Sequence, residues 1–130
     1  IDVLSKVGGL DLAALTGFYL GCAYWRIPVV LDGLITGAAA LAAVKLCLAV
    51  ADYLLASHVS AEPAGQAVLS SLGLKAAIQA GMCLGEGTGA AAFFPMLDMA
   101  LTIYSKMDTF QDIQVKPYCH FEEDKNEDKE

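Results

Sequence analysis

Residues 34–56, LITGAAALAAVKLCLAVADYLLA, set the first limit on what this chain can fold into. These 23 residues carry only two charges, Lys45 and Asp52. The run is long enough to cross a bilayer. A charge near the centre of a membrane helix costs about 2.5–3.5 kcal/mol, however, and alanine-rich segments suit close helix packing in a protein core. The run therefore reads as a buried helix over 34–51. DYLLASH, residues 52–58, follows as a short strand.

The flanking segments fit that layout. A helix is expected after Gly8-Gly9, with Asp11 near its N-terminus, where a carboxylate favours the free N–H groups. Leu12, Leu15, Phe18, Tyr19 and Cys22 recur on one face. Gly17 and Gly21 share a face that would let another element come close. Pro28 ends the helix near Trp25-Arg26. IPVVLDG, residues 27–33, is β-branched and bounded by Pro28 and Gly33, as a short buried strand would be. It delivers Asp32 to the carboxyl end of that strand, where open parallel sheets bind ligands; a cap or turn role fits Asp32 equally well. SHVSAEP gathers Ser57, His58, Ser60 and Glu62, with Ser60 or Glu62 as a candidate cap, and Pro63 opens a helix to about Leu72. A glycine-punctuated connection covers residues 72–90. A last helix is expected from about Gly89 to Met107, with Phe94, Leu97, Leu101 and Tyr104 on its apolar face and Pro95 in its first turns either shifting the start or adding a kink. Helices alternating with parallel-type strands make an α/β layout. Two strands do not make a stable sheet alone, so the chain reads as the later part of a larger α/β domain.

Composition narrows the function. The chain has 130 residues and opens on Ile1, which suggests a processed or partial chain, and it is 56% apolar. Its net charge of −7 is concentrated in the tail EEDKNEDKE, residues 122–130, expected to be a disordered, solvating end. No basic cluster supports nucleic-acid binding. The four cysteines, Cys22, Cys47, Cys83 and Cys119, are too widely spaced for a zinc site. Reduced, mostly buried thiols fit an intracellular, cytoplasmic protein; Cys119-His120 would make only a poor adventitious metal binder. No signal peptide is legible.

The stretch LGEGTGA, residues 84–90, concentrates the candidate chemistry. It is neither a dinucleotide fingerprint nor a P-loop, because its spacing is GxGxG and no Gly-Lys-Ser/Thr follows. It offers a helix start with free N–H groups, little side-chain bulk and one carboxylate, Glu86. Because Glu86 already brings a negative charge there, a phosphate cradle is disfavoured. Two roles stay open for Glu86 on local pattern: a cap on the following helix, or a base accepting a proton from a nitrogen nucleophile.

Taken in order, KVGGLDLAALTG, IPVVLDG, DYLLASHVSAEP, LGL and LGEGTGAA resemble the carboxy-terminal part of the nicotinate-nucleotide–dimethylbenzimidazole phosphoribosyltransferase family. The resemblance covers residues 5 to about 112. It implies a helix-rich part of a parallel-sheet, Rossmann-like phosphoribosyltransferase domain over 1–112, with the acidic tail at 113–130. It also implies a cytoplasmic homodimer that acts on nicotinate mononucleotide and benzimidazoles, with no metal, cofactor, nucleic acid or membrane partner. The reaction would move phosphoribose to 5,6-dimethylbenzimidazole, giving α-ribazole 5′-phosphate and nicotinate for the cobalamin lower ligand. By this resemblance Glu86 is the general base, Ser60 contacts nicotinate with the backbone near Gly85 and Glu86, Leu84 walls the benzimidazole pocket, and Asp32 faces the ribose.

This chain departs from the family pattern at Val59, where arginine is usual, and at Ala64-Gly65, where Gly-His is usual. The family's amino-terminal part, with its phosphate-gripping glycines and a second important glutamate, is not in this sequence. An inactive homologue or fragment that acts as an azole- or nicotinate-binding module, or as an interaction module, is therefore the alternative expectation.

Overall fold

Two short parallel strands hold the site from beneath. The computed structural model describes residues 1–116. Of the tail expected over 113–130, residues 117–130 lie outside them, and Cys119 and His120 with these. Two units are distinguished, Ile1–Leu97 and a second beginning at Asp98.

The first unit opens with α1 (Asp2–Val7), a short helix that the sequence reading did not foresee, and then α2 (Leu10–Tyr24). Helix α2 starts at Gly9 with Asp11 in its first turn. Its end is a Schellman turn. Arg26 takes a left-handed φ of 57°. The Arg26 N–H bonds Ala23 O at 3.1 Å and the Ile27 N–H bonds Cys22 O at 2.8 Å. Strand β1 (Val29–Leu31) follows, then α3 (Leu34–Leu46), a 3₁₀ turn (Leu48–Tyr53) and β2 (Leu54–Ala56). The two strands pair in parallel, Val29 with Leu54, Val30 with Leu55 and Leu31 with Ala56. Beyond β2, His58 forms a parallel bridge with Ile78, so the 57–61 segment is held on its far side by the connection that leads to the glycine stretch. Helix α4 (Gly65–Leu72) covers α3, and α5 (Thr88–Lys106) begins at the site.

The core lies between α2, α3 and the strands, around Tyr19, Leu31, Ala39, Ala40, Ala43, Val50 and Leu54. The alanines of α3 explain its composition. Ala39, Ala40 and Ala43 are at most 1% exposed, and they bring α2 close enough for the buried Thr16 Oγ1 to reach Ala39 O at 3.3 Å as well as Leu12 O at 2.7 Å.

Several expectations need correction. The buried helix expected over 34–51 stops at Leu46, where Cys47 turns extended. This break buries Val50 in the core and leaves Lys45 and Asp52 in solvent. Helix α3 is also buried on one face only, since Ile35 is exposed. On α2, Thr16 occupies the core in place of Phe18, which is exposed, and nothing approaches Gly17 or Gly21 within 4 Å. Neither Ser60 nor Glu62 caps α4, whose N-cap is Ala64, without a side-chain bond.

The second unit carries the remainder of α5 and a turn. In that turn Asp112 accepts hydrogen bonds from both the N–H (2.9 Å) and the hydroxyl (2.5 Å) of Thr109. These bonds hold the Asp112 carboxyl below its ordinary range. Of the residues expected on the apolar face of α5, Phe94, Leu101 and Tyr104 are exposed and Leu97 is half-buried.

Candidate functional site

The carboxyl ends of β1 and β2 and the N-terminus of α5 converge on one cleft of about 320 Å³. Five residues singled out from the sequence, Asp32, Ser60, Leu84, Gly85 and Glu86, all line it. They come from three separate stretches of chain, brought together because parallel strands end at the same edge of a sheet.

Asp32 follows β1 directly, and its carboxylate caps α5. Oδ1 accepts from the N–H of Gly89 at 2.7 Å and of Ala90 at 3.2 Å, and Oδ2 accepts from the N–H of Gly87 at 3.1 Å. The first backbone donors of a helix have no partner within the helix. A carboxylate there also meets the positive end of the helix dipole. Both roles weighed for Asp32 are thereby addressed: it is a cap, and it still borders the cleft, with acceptor capacity left on Oδ2.

This corrects the reading of the glycine stretch. The anion at the start of α5 is Asp32, not Glu86, so the phosphate cradle is disfavoured for a different reason. Glu86 does not cap the helix. It sits at φ 56° between Gly85 (φ 75°) and Gly87 (φ 77°). Left-handed backbone costs a residue with a Cβ roughly 1–2 kcal/mol, and such strain gathers where a side chain must be presented in a set direction. The turn is closed by the Thr88 N–H and hydroxyl, which both bond Gly85 O, at 3.0 and 2.7 Å. Glu86 is exposed on the cleft, and among the described residues no hydrogen bond engages its carboxylate.

Ser60 is 7% exposed, and its hydroxyl donates to Glu62 Oε2 at 2.9 Å. Leu84 stands 72% exposed on the rim. His58 appeared in the sequence only as part of a polar cluster, yet it is 4% exposed and lines the cleft. Its ring packs against Gly89, where any Cβ would overlap it. The adjacency of Ser57 and His58 at a strand end was the available signal, but periodicity does not reveal which ring edge faces a ligand.

Among the described residues no lysine or arginine lines the cleft, and no group of three or more His, Cys, Asp or Glu is placed to hold a metal ion. No helix among them is long and apolar enough to cross a membrane. A larger groove of about 470 Å³ between α1, α2 and α3 is apolar apart from Lys45 and offers no comparable set of groups.

Known proteins resemble this chain over most of its length. The family model described as phosphoribosyltransferase (DBI_PRT) matches residues 1–115. The nicotinate-nucleotide–dimethylbenzimidazole phosphoribosyltransferase of Clostridium acetobutylicum is 48% identical over 118 residues, covering 91% of this chain and 34% of that protein. The one from Desulforamulus reducens is 50% identical over 115 residues, covering 88% and 33%. The crystal structure of the Thermus thermophilus protein of the same name superposes with a TM-score of 0.82 at 40% identity, over 89% of this chain and 35% of that one. The chain thus spans about a third of the length of the curated relatives it matches. With the parallel strand pair, the Asp32-capped helix and the Glu86 turn in place, it belongs to the nicotinate-nucleotide–dimethylbenzimidazole phosphoribosyltransferase family.

Proposed function

We propose that this chain supplies the base-bearing part of an enzyme that transfers phosphoribose from nicotinate mononucleotide to 5,6-dimethylbenzimidazole. The observation that carries the reading is Glu86: a carboxylate with no hydrogen-bond partner among the described residues, held in a left-handed turn on the cleft it shares with Asp32 and Ser60.

The chemistry asks for one base. One azole nitrogen attacks C1′ of the ribose while Glu86 takes the proton from the other, so the azole does not become a cation. The C1′–N bond to nicotinate breaks, and its electron pair passes to the ring nitrogen. That nitrogen is quaternary in the substrate and leaves neutral, so no acid is required on the leaving side. Attack opposite nicotinate converts β into α configuration. Ser60 is read as a nicotinate contact with the Gly85 backbone, Leu84 as part of the azole wall, and Asp32 as facing the ribose while it fixes the start of α5. The substrate phosphate is left to residues outside this cleft, which has no cation among the described residues. A cytoplasmic homodimer belongs to the same reading.

The test mixes the protein, as its gene encodes it, with both substrates and follows α-ribazole 5′-phosphate and nicotinate. Formation of both supports the transfer. Binding of dimethylbenzimidazole or nicotinate without turnover would make the chain a binding module instead.

A further inference from the structure

Ser57 is fully buried and His58 nearly so, at 0% and 4% exposure. The Ser57 hydroxyl has one proton and two carbonyl neighbours, Leu31 O at 2.5 Å and Asp32 O at 3.2 Å. Carbonyls only accept, so that proton is committed to them. The third neighbour, His58 Nδ1 at 3.1 Å, must then donate to Ser57 Oγ. This sets the Nδ1–H tautomer and leaves Nε2 as an acceptor. The ring cannot turn freely, because the Gly89 backbone lies against it. Among the described residues no group bonds Nε2, and no buried side-chain nitrogen or oxygen lacks a partner. Nε2 therefore keeps accessible surface, and the His58 side chain lines the cleft.

The cleft wall is rich in acceptors. Ser60 is assigned to nicotinate, and the Thr36 hydroxyl donates to Gly33 O at 2.8 Å. Glu86, Glu62, the remaining capacity of Asp32 and His58 Nε2 all await donors. Nicotinate mononucleotide offers few. Its phosphate and carboxylate are ionised and its ring nitrogen is quaternary, which leaves only the ribose 2′ and 3′ hydroxyls. The azole N–H is assigned to Glu86. We propose that His58 Nε2 accepts a hydrogen bond from one ribose hydroxyl and so orients C1′ for attack, an inference that rests on the transferase reading above.

The test compares kcat/KM for nicotinate mononucleotide and its 2′-deoxy and 3′-deoxy analogues in the wild-type protein, His58→Asn and His58→Gln. Asparagine keeps a donor toward Ser57 but places nothing at Nε2, whereas glutamine carries its amide to that position. Loss of the relevant hydroxyl should cost the wild type about tenfold. His58→Asn should lose about as much on the complete substrate and nothing further on that one analogue, while His58→Gln recovers most of the rate. Penalties that multiply for both analogues would overturn the proposal. If His58→Asn does not fold, the wild type decides: equal kcat/KM for all three substrates overturns the proposal, and a loss confined to one hydroxyl, with His58→Gln active, supports it. A wild type inert toward nicotinate mononucleotide overturns the transferase reading and this inference with it.

Discussion

The Asp32 carboxylate accepts the Gly89 N–H at 2.7 Å across 57 residues of chain. One acidic side chain thereby ties the end of β1 to the start of α5, and the turn bearing Glu86 lies between the Gly85 carbonyl and the capped N–H groups. Position and charge at the site depend on this tie.

Asp32→Ala should therefore destabilise the protein by about 2–3 kcal/mol, since three backbone donors lose a charged acceptor. The denaturant midpoint measures it, and Asp32→Asn should fall between the two. A change below about 0.5 kcal/mol would put Asp32 among ordinary surface substitutions.

Gly89→Ala tests the packing under the same turn. Its new Cβ would overlap the His58 ring and crowd Asp32 Oδ1 at 2.9 Å. Overpacking of this kind costs about 1–3 kcal/mol. His58→Ala in the same chain should recover part of the loss, a coupling that a double-mutant cycle detects. Strictly additive effects would mean that the ring and Gly89 do not constrain each other.

Tyr19 gives the fold a signature at high pH. Burial pushes its hydroxyl up from an ordinary value of 10.0 to about 12, reinforced by Cys22 and opposed by Thr36. Because the folded state disfavours the phenolate, the stability tied to the neutral hydroxyl is complete below pH 10 and is lost as pH rises towards about 12. Tyr19→Phe should flatten that part of the stability–pH curve. An unchanged slope would assign the alkaline loss to another group.

How far the sequence foretold these features follows from the range of the forces involved. Helix α2 and strand β1 were legible because Gly9, Pro28 and the β-branched Val29-Val30 act on their own neighbours, whereas the strand expected over 52–58 is shortened to Leu54–Ala56 by the 3₁₀ turn that ends at Tyr53. The break at Cys47 was not legible, since no glycine or proline marks it; burial of Val50 decides it. Asp32, Ser60 and Glu86 were named together through the family resemblance, and all three line one cleft. Which acid caps α5 was not legible, because the bond from Asp32 to Gly89 spans the fold and leaves no local pattern. His58 was hidden for the same reason: its orientation is set by Ser57, Leu31 and Gly89 together.

Glu86 should show a trade between stability and activity. Glycine accepts φ 56° without steric cost, so Glu86→Gly should raise stability by about 1 kcal/mol while abolishing transfer. A destabilised Glu86→Gly variant would mean that the side chain supports the fold rather than the chemistry.

The most direct measurement is single-turnover formation of α-ribazole 5′-phosphate by the protein as its gene encodes it, compared with its Glu86→Gln variant. Glutamine keeps the size and the turn but cannot accept the azole proton. The rate of the chemical step should fall about a hundred- to ten-thousand-fold, with dimethylbenzimidazole still bound. A variant as fast as the wild type would contradict the assignment of Glu86 as the base.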